Sequence, residues 1–135
     1  MLLQLLKNFV QTSFLFALLS MSSAVQAEPN NAVKLELKMT VMKYIKKHTD
    51  KDNYLFVDPD TLKAIRLQFI TMHPVVFETE PGRYILCADF SSKTGDTLLL
   101  DYFVININDT YEISTVVQGK RSLLSTIAEK FSLKF

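Results

Sequence analysis

The stretch from residue 84 to 118 constrains this chain most, because its side chains sort to two faces in only one strand register. Residues 84–90, 97–105 and 111–118 alternate as strands do. Between the first two lies Ser91-Ser92-Lys93-Thr94-Gly95-Asp96, and between the last two Asn108-Asp109. A three-residue loop with Gly95 in the left-handed region sets Ser92 against Asp96. It then sets Phe90 against Leu98, Ala88 against Leu100, Leu86 against Tyr102 and Cys87 against Asp101. A two-residue turn at Asn108-Asp109 sets Val104 against Ile113 and Leu100 against Val117. One face then carries Tyr84, Leu86, Ala88, Phe90, Leu98, Leu100, Tyr102, Val104, Ile113, Thr115 and Val117. The other carries Ile85, Cys87, Asp89, Leu99, Asp101, Phe103, Ile105, Glu112, Ser114 and Val116, a mixed set. A slip of one residue pairs Ala88 with Asp101 and scrambles both faces, so the pattern pins the register.

The apolar face needs a cover, and 33–48 is the natural one. Val33, Leu37, Val41, Tyr44, Ile45 and His48 follow helical spacing. Val33, Leu35, Leu37, Met39 and Val41 also alternate, so strand is the competing reading. Length, good helix formers and lysines gathered toward the C-terminal end favour helix, ending near His48-Thr49-Asp50. Residues 54–57 read as a short strand stopped by Asp58-Pro59-Asp60. Residues 63–72 read as a strand around Ile65, Leu67 and Phe69, closed by Pro74, with a helix from Thr61 as runner-up. Pro81-Gly82 marks a turn. Ser122 can cap a last helix with Leu123, Leu124, Ile127, Ala128 and Phe131 on one side; this tail either docks on the sheet or meets a partner.

Residues 1–27 read as a cleavable signal peptide. Lys7 precedes an apolar stretch centred on 14–19, which thins into serines and ends Val25-Gln26-Ala27 before Glu28-Pro29. Gln11, Thr12 and the serines hold the apolar core to roughly a dozen residues, short of the about 20 that a spanning helix needs. Cleavage after Ala27 leaves 108 of the 135 residues as a single domain, 28–135, periplasmic or secreted. That domain balances fourteen basic against fourteen acidic side chains, so no bulk field recruits nucleic acid or an anionic membrane. Cys87 is the only cysteine, which excludes an intrachain disulfide. The fold must hold by packing, a task suited to the seven Phe and five Tyr of 28–135.

His73, the run Gly82-x-Tyr84-x-x-Cys87-Ala88-Asp89-Phe90, the Gly95 turn and Asp101-Tyr102-Phe103-Val104 together resemble a group of small exported bacterial proteins of unknown function. The resemblance implies a cystatin-like or nuclear-transport-factor-like α+β architecture. In it an N-terminal helix packs on a four- to five-stranded antiparallel meander sheet, here with a short C-terminal helix. The group tends to carry a His-Lys pair before a turn where this chain has Val116-Val117-Gln118-Gly119-Lys120, so a role for that histidine does not transfer.

His73, Cys87, Asp89 and Asp101 are the one constellation with chemical potential, and they are the candidate ligand-binding residues. A nucleophilic cysteine needs a base and a lowered pKa. An adjacent Asp101 raises it instead, which favours a buried, inert thiol. Adding His48 does not produce the paired spacing of a zinc site. Asp58-x-Asp60 lacks the glycine and glutamate of a calcium loop and reads as a turn. The lysine-rich helix face is a solvated surface or a basic docking surface for an acidic partner. These observations lead to a non-catalytic binding module for an unknown protein or small ligand, without cofactor, of which a hydrolase inhibitor is one version. Two alternatives stand beside it: a small enzyme or metal-binding protein centred on the four residues, and an assembly subunit docking through 122–135.

Overall fold

The computed structural model describes residues 28–119. The signal peptide expected at 1–27 and the last helix expected from Ser122 lie outside them. The described chain runs α1 (Asn31–Lys47), β1 (Thr49–Asp50), β2 (Asn53–Val57), β3 (Ala64–Glu80), β4 (Arg83–Ser92), β5 (Thr97–Ile107) and β6 (Thr110–Gln118). The strands form one antiparallel open sheet in sequence order, with α1 packed on one face. No helix among the described residues is long and apolar enough to cross a membrane.

Local chemistry sets the bounds of α1. The Asn30 side chain accepts from the Val33 amide at 2.9 Å, satisfying one of the free donors at the helix start. Lys34 pairs with Glu28 just outside the first turn. Lys46 and Lys47 occupy the last turn, where cations suit the helix dipole. There the His48 ring nitrogen Nδ1 lies 2.8 Å from the Tyr44 carbonyl. A carbonyl only accepts, so Nδ1 carries the proton. Leu37, Val41 and Ile45, four residues apart, form the buried stripe. Each such side chain contributes about 1.5–3 kcal/mol when fully removed from water.

That stripe meets Leu86, Ala88 and Phe90 of β4 and Leu100, Tyr102 and Val104 of β5. Aromatic rings tie the layer laterally. Phe90 stacks on Tyr54 with centroids 4.9 Å apart and takes the edge of Phe69 at 5.6 Å. Tyr84 meets Tyr111 at 5.8 Å, and Tyr44 of the helix reaches Tyr102 at 6.1 Å. Pairs of this kind add about 0.5–1.5 kcal/mol beyond their buried area.

The β4–β5 pairing follows the alternation: Phe90 faces Leu98, Ala88 faces Leu100, Cys87 faces Asp101 and Leu86 faces Tyr102. Gly95 adopts φ 86°, and the Ser92 amide bonds to the Asp96 carbonyl at 2.8 Å. Asn108 and Asp109 both take positive φ, 51° and 63°, as a two-residue hairpin turn requires.

Three expectations are corrected. The sheet has six strands, not four or five, because Thr49–Asp50 folds back on β2 across Lys51-Asp52, a pair too short to leave a hydrophobic pattern. β3 does not stop at Pro74, nor is it a helix from Thr61. It runs on to Glu80, and Pro74 sits where the ladder skips from Met72–Ala88 to Val76–Leu86. A bulge needs no ladder amide there, so proline is tolerated. Leu100 pairs with Gln118 rather than Val117, because Ser114 is an extra residue between the Val104–Ile113 and Phe103–Thr115 pairs. Its hydroxyl donates to the Phe103 carbonyl at 3.1 Å. Beyond this bulge the faces exchange: Val116 packs on the α1 side, while Thr115 and Val117 turn to the other.

Candidate functional site

β4 and β5 deliver Cys87, Asp89 and Asp101 to the face opposite α1, each one residue out of phase with the core positions. His73 arrives by a different route. In a regular β3 it would pair squarely on the ladder. Instead His73, Pro74 and Val75 together stand opposite Cys87 in the bulge, and such a bulge re-aims side chains. His73 Nε2 comes to 3.0 Å from Asp89 Oδ2, both side chains about one quarter exposed. The structure therefore gathers all four candidate residues, and the bulge is what brings the histidine in.

The electrostatics of the cluster are those of a closed interior. Cys87 is 1% exposed and Asp101 3%. Burial pushes the thiol well above its ordinary range. The Asp101 charge, the hydrogen bond that the thiol donates to Asp101, and the Asp89 charge add to the effect. The thiol stays protonated at neutral pH, the opposite of an activated nucleophile. Burial likewise raises Asp101, against the lowering influence of the Cys87 thiol and of His73. Asp101 Oδ1 and Asp89 Oδ1 are buried with no hydrogen-bond partner among the described residues. Gly119 closes the far side of Asp101: its amide bonds to the Leu99 carbonyl at 2.8 Å, and its α-carbon backs onto the carboxyl group. No group of three His, Cys, Asp or Glu among the described residues converges as metal ligands. His48 lies apart from the cluster, its ring 4.1 Å from that of Tyr44. At the other candidate turn, Asp58 Oδ1 accepts from the Asp60 amide at 2.9 Å, as in an Asx turn.

A second site was not singled out by sequence. Where α1 ends against the β1–β2 turn, Met42, Ile45 and Phe69 floor an open groove, with Lys46, Lys51 and Asp52 around it. Ile70 is the bulged residue next to Phe69, since Phe69 pairs with Phe90 and Thr71 with Asp89. The adjacent apolar pair Phe69-Ile70, which interrupts the alternation of 63–72, is the signal that could have revealed it.

The fold is thus α+β, one helix on a six-stranded open antiparallel sheet. No family model, curated protein or solved structure matches the chain.

Proposed function

We propose that this chain is an exported, non-catalytic binding module of cystatin-like design, which takes its partner in the groove at the C-terminal end of α1. One observation carries this reading: Met42 and Phe69, which line the groove, remain 39% and 38% exposed beside a core that is closed. Clustered exposed apolar side chains within a polar rim are the usual mark of an interaction surface. The lysines at the rim favour an apolar segment that carries an acidic group. The signal-like 1–27 supports delivery to the periplasm or beyond. The inhibitor version of this reading rests on fold analogy alone.

The alternative, a small enzyme or metal-binding protein at the four-residue cluster, draws its support from the partly exposed His73–Asp89 pair. The buried, protonated thiol weighs against a cysteine-based mechanism. The test is site-specific photo-crosslinking in the producing cells, with benzoylphenylalanine placed at Met42, at Phe69 and, as control, at Glu112. The groove reading expects one discrete adduct from the first two probes, absent from the third and unchanged by Cys87→Ala or His73→Ala. The same adduct pattern from all three probes defeats it.

A further inference from the structure

A polar hollow lies on the sheet face opposite α1, toward the β4–β5 turn. Tyr54 of β2, Leu67 of β3 and Phe90 of β4 point into the core. Alternation turns their neighbours Asn53, Arg66, Gln68 and Ser91 to the other face. Gln68 pairs with Ser91 and Leu67 with Ser92. One step further along, as the chain leaves β4, Lys93 comes to the side of Arg66. Asn53, Arg66, Gln68, Ser91, Ser92 and Lys93 together line a hollow of about 420 Å³.

The chemistry of this hollow is one-sided. Arg66 and Lys93 are its charged residues, and no carboxylate joins them in the lining. Neither makes an ion pair among the described residues. Nearby acids are held elsewhere: Asp96 accepts from Thr94 at 2.8 Å, and Asp89 meets His73 at 3.0 Å. Asp52 lines the next hollow, across Gln68. Like charges that share one small hollow repel, and an anion between them turns that repulsion into attraction. Neutral groups stand around the cations. The Gln68 amide and Ser91 hydroxyl have no side-chain partner among the described residues. Asn53 gives one amide proton to the Lys51 carbonyl at 3.0 Å and keeps the other.

Charge and shape select the ligand. A guanidinium offers a planar fork to a pair of oxygens, and an ammonium adds a point charge beside it. A carboxylate would neutralise only one of these cations. A phosphate monoester, with a charge of about −1.5 to −2 at neutral pH, matches both. Small-molecule pockets run to about 300–1,000 Å³, so there is room for a small body beyond the phosphate. The lining has no apolar or aromatic residue, and its amides and hydroxyls both donate and accept. The body that fits it is hydroxylated.

We infer that this hollow binds a small phosphorylated polyol, with the phosphate between Arg66 and Lys93 and the hydroxyl groups on Asn53, Gln68 and Ser91. It shares no lining residue with the groove beside α1, and the inference does not depend on what that groove binds.

The test titrates glucose 6-phosphate into the isotopically labelled intact protein and follows the amide resonances. The amides of residues 66, 68, 91 and 93 shift, while those of 42 and 69 in the groove stay in place. Glucose, gluconate and inorganic phosphate each bind at least about tenfold more weakly. Arg66→Gln and Lys93→Gln replace exposed side chains, keep the parent spectrum elsewhere, and each weaken glucose 6-phosphate about tenfold. No shift at millimolar ligand overturns the inference, as does equal binding of glucose or gluconate, which denies the phosphate. Inorganic phosphate binding as tightly as glucose 6-phosphate overturns the hydroxylated body. Shifts spread over the lysines of α1, or binding that survives both substitutions, mark bulk attraction and equally overturn it.

Discussion

Gly119→Ala isolates one contact and predicts its own rescue. Gly119 does not have a positive φ, unlike Gly82 and Gly95, so alanine costs nothing in backbone strain. The added methyl would lie 2.8 Å from Asp101 Oδ2 and 3.0 Å from both Cγ and Oδ1. Asp101 is 3% exposed, and its carboxyl group has no open space to swing into. Overpacking of this kind costs about 1–3 kcal/mol. The lower entropy of the unfolded alanine chain returns about 0.4–1 kcal/mol, so the net loss is about 1–2 kcal/mol. With Asp101→Ala in place the obstacle is gone, and Gly119→Ala turns mildly stabilising, by about 0.4–1 kcal/mol. The coupling is therefore about 2 kcal/mol, several times what independent sites show. Urea denaturation of the parent, the two single variants and the double variant measures it. On heating, each kcal/mol appears as a shift of about 4–8 °C in a domain of this size. Equal effects of Gly119→Ala in both backgrounds would refute the argument that the Asp101 carboxyl group excludes a side chain at 119.

Asp101→Asn tests the sign of the carboxyl's titration. Burial raises Asp101, so the folded chain keeps a proton that the unfolded chain has lost, and stability falls as pH rises through that interval. Asparagine never ionises. Its stability relative to the parent is greatest near pH 7 and declines toward about pH 4; a gap in urea midpoints that widens in acid contradicts this. Phe90→Ala removes the ring shared by Tyr54 and Phe69 from a fully buried site. It costs about 3–5 kcal/mol in denaturant titration. Asn30→Ala loses the cap on α1 and costs about 1 kcal/mol by the same assay.

The β4–β5 hairpin was legible in the sequence because a misregister there carries an immediate penalty: Asp101 would fall among the core residues. That same register placed Cys87 beside Asp101, and with it the direction of the thiol shift. The bulges were not legible. Ser114 lies between Ile113 and Thr115 on a strand whose outer residues are small and polar, so nothing in the alternation marks one residue as supernumerary. Around Pro74 the error was one of rule. Proline ends a strand only where the ladder needs its amide, and the bulge removed that need. His73 was chosen for its chemistry, but its pairing with Asp89 depends on that bulge and so lay beyond sequence reasoning. The groove was missed for a related reason, since the bulge at Ile70, where the ladder skips a residue beside Phe69, was read as regular alternation.

The irregularity at Ser114 also bears on solubility. Among the described residues β6 has a neighbour on one side only, and its nine-residue margin would otherwise be a straight template for a stranger's backbone. An extra residue midway breaks the even spacing of its free amides and carbonyls, so an incoming chain cannot zip along it end to end. The kink that swaps the faces of β6 also guards this margin against fibre growth.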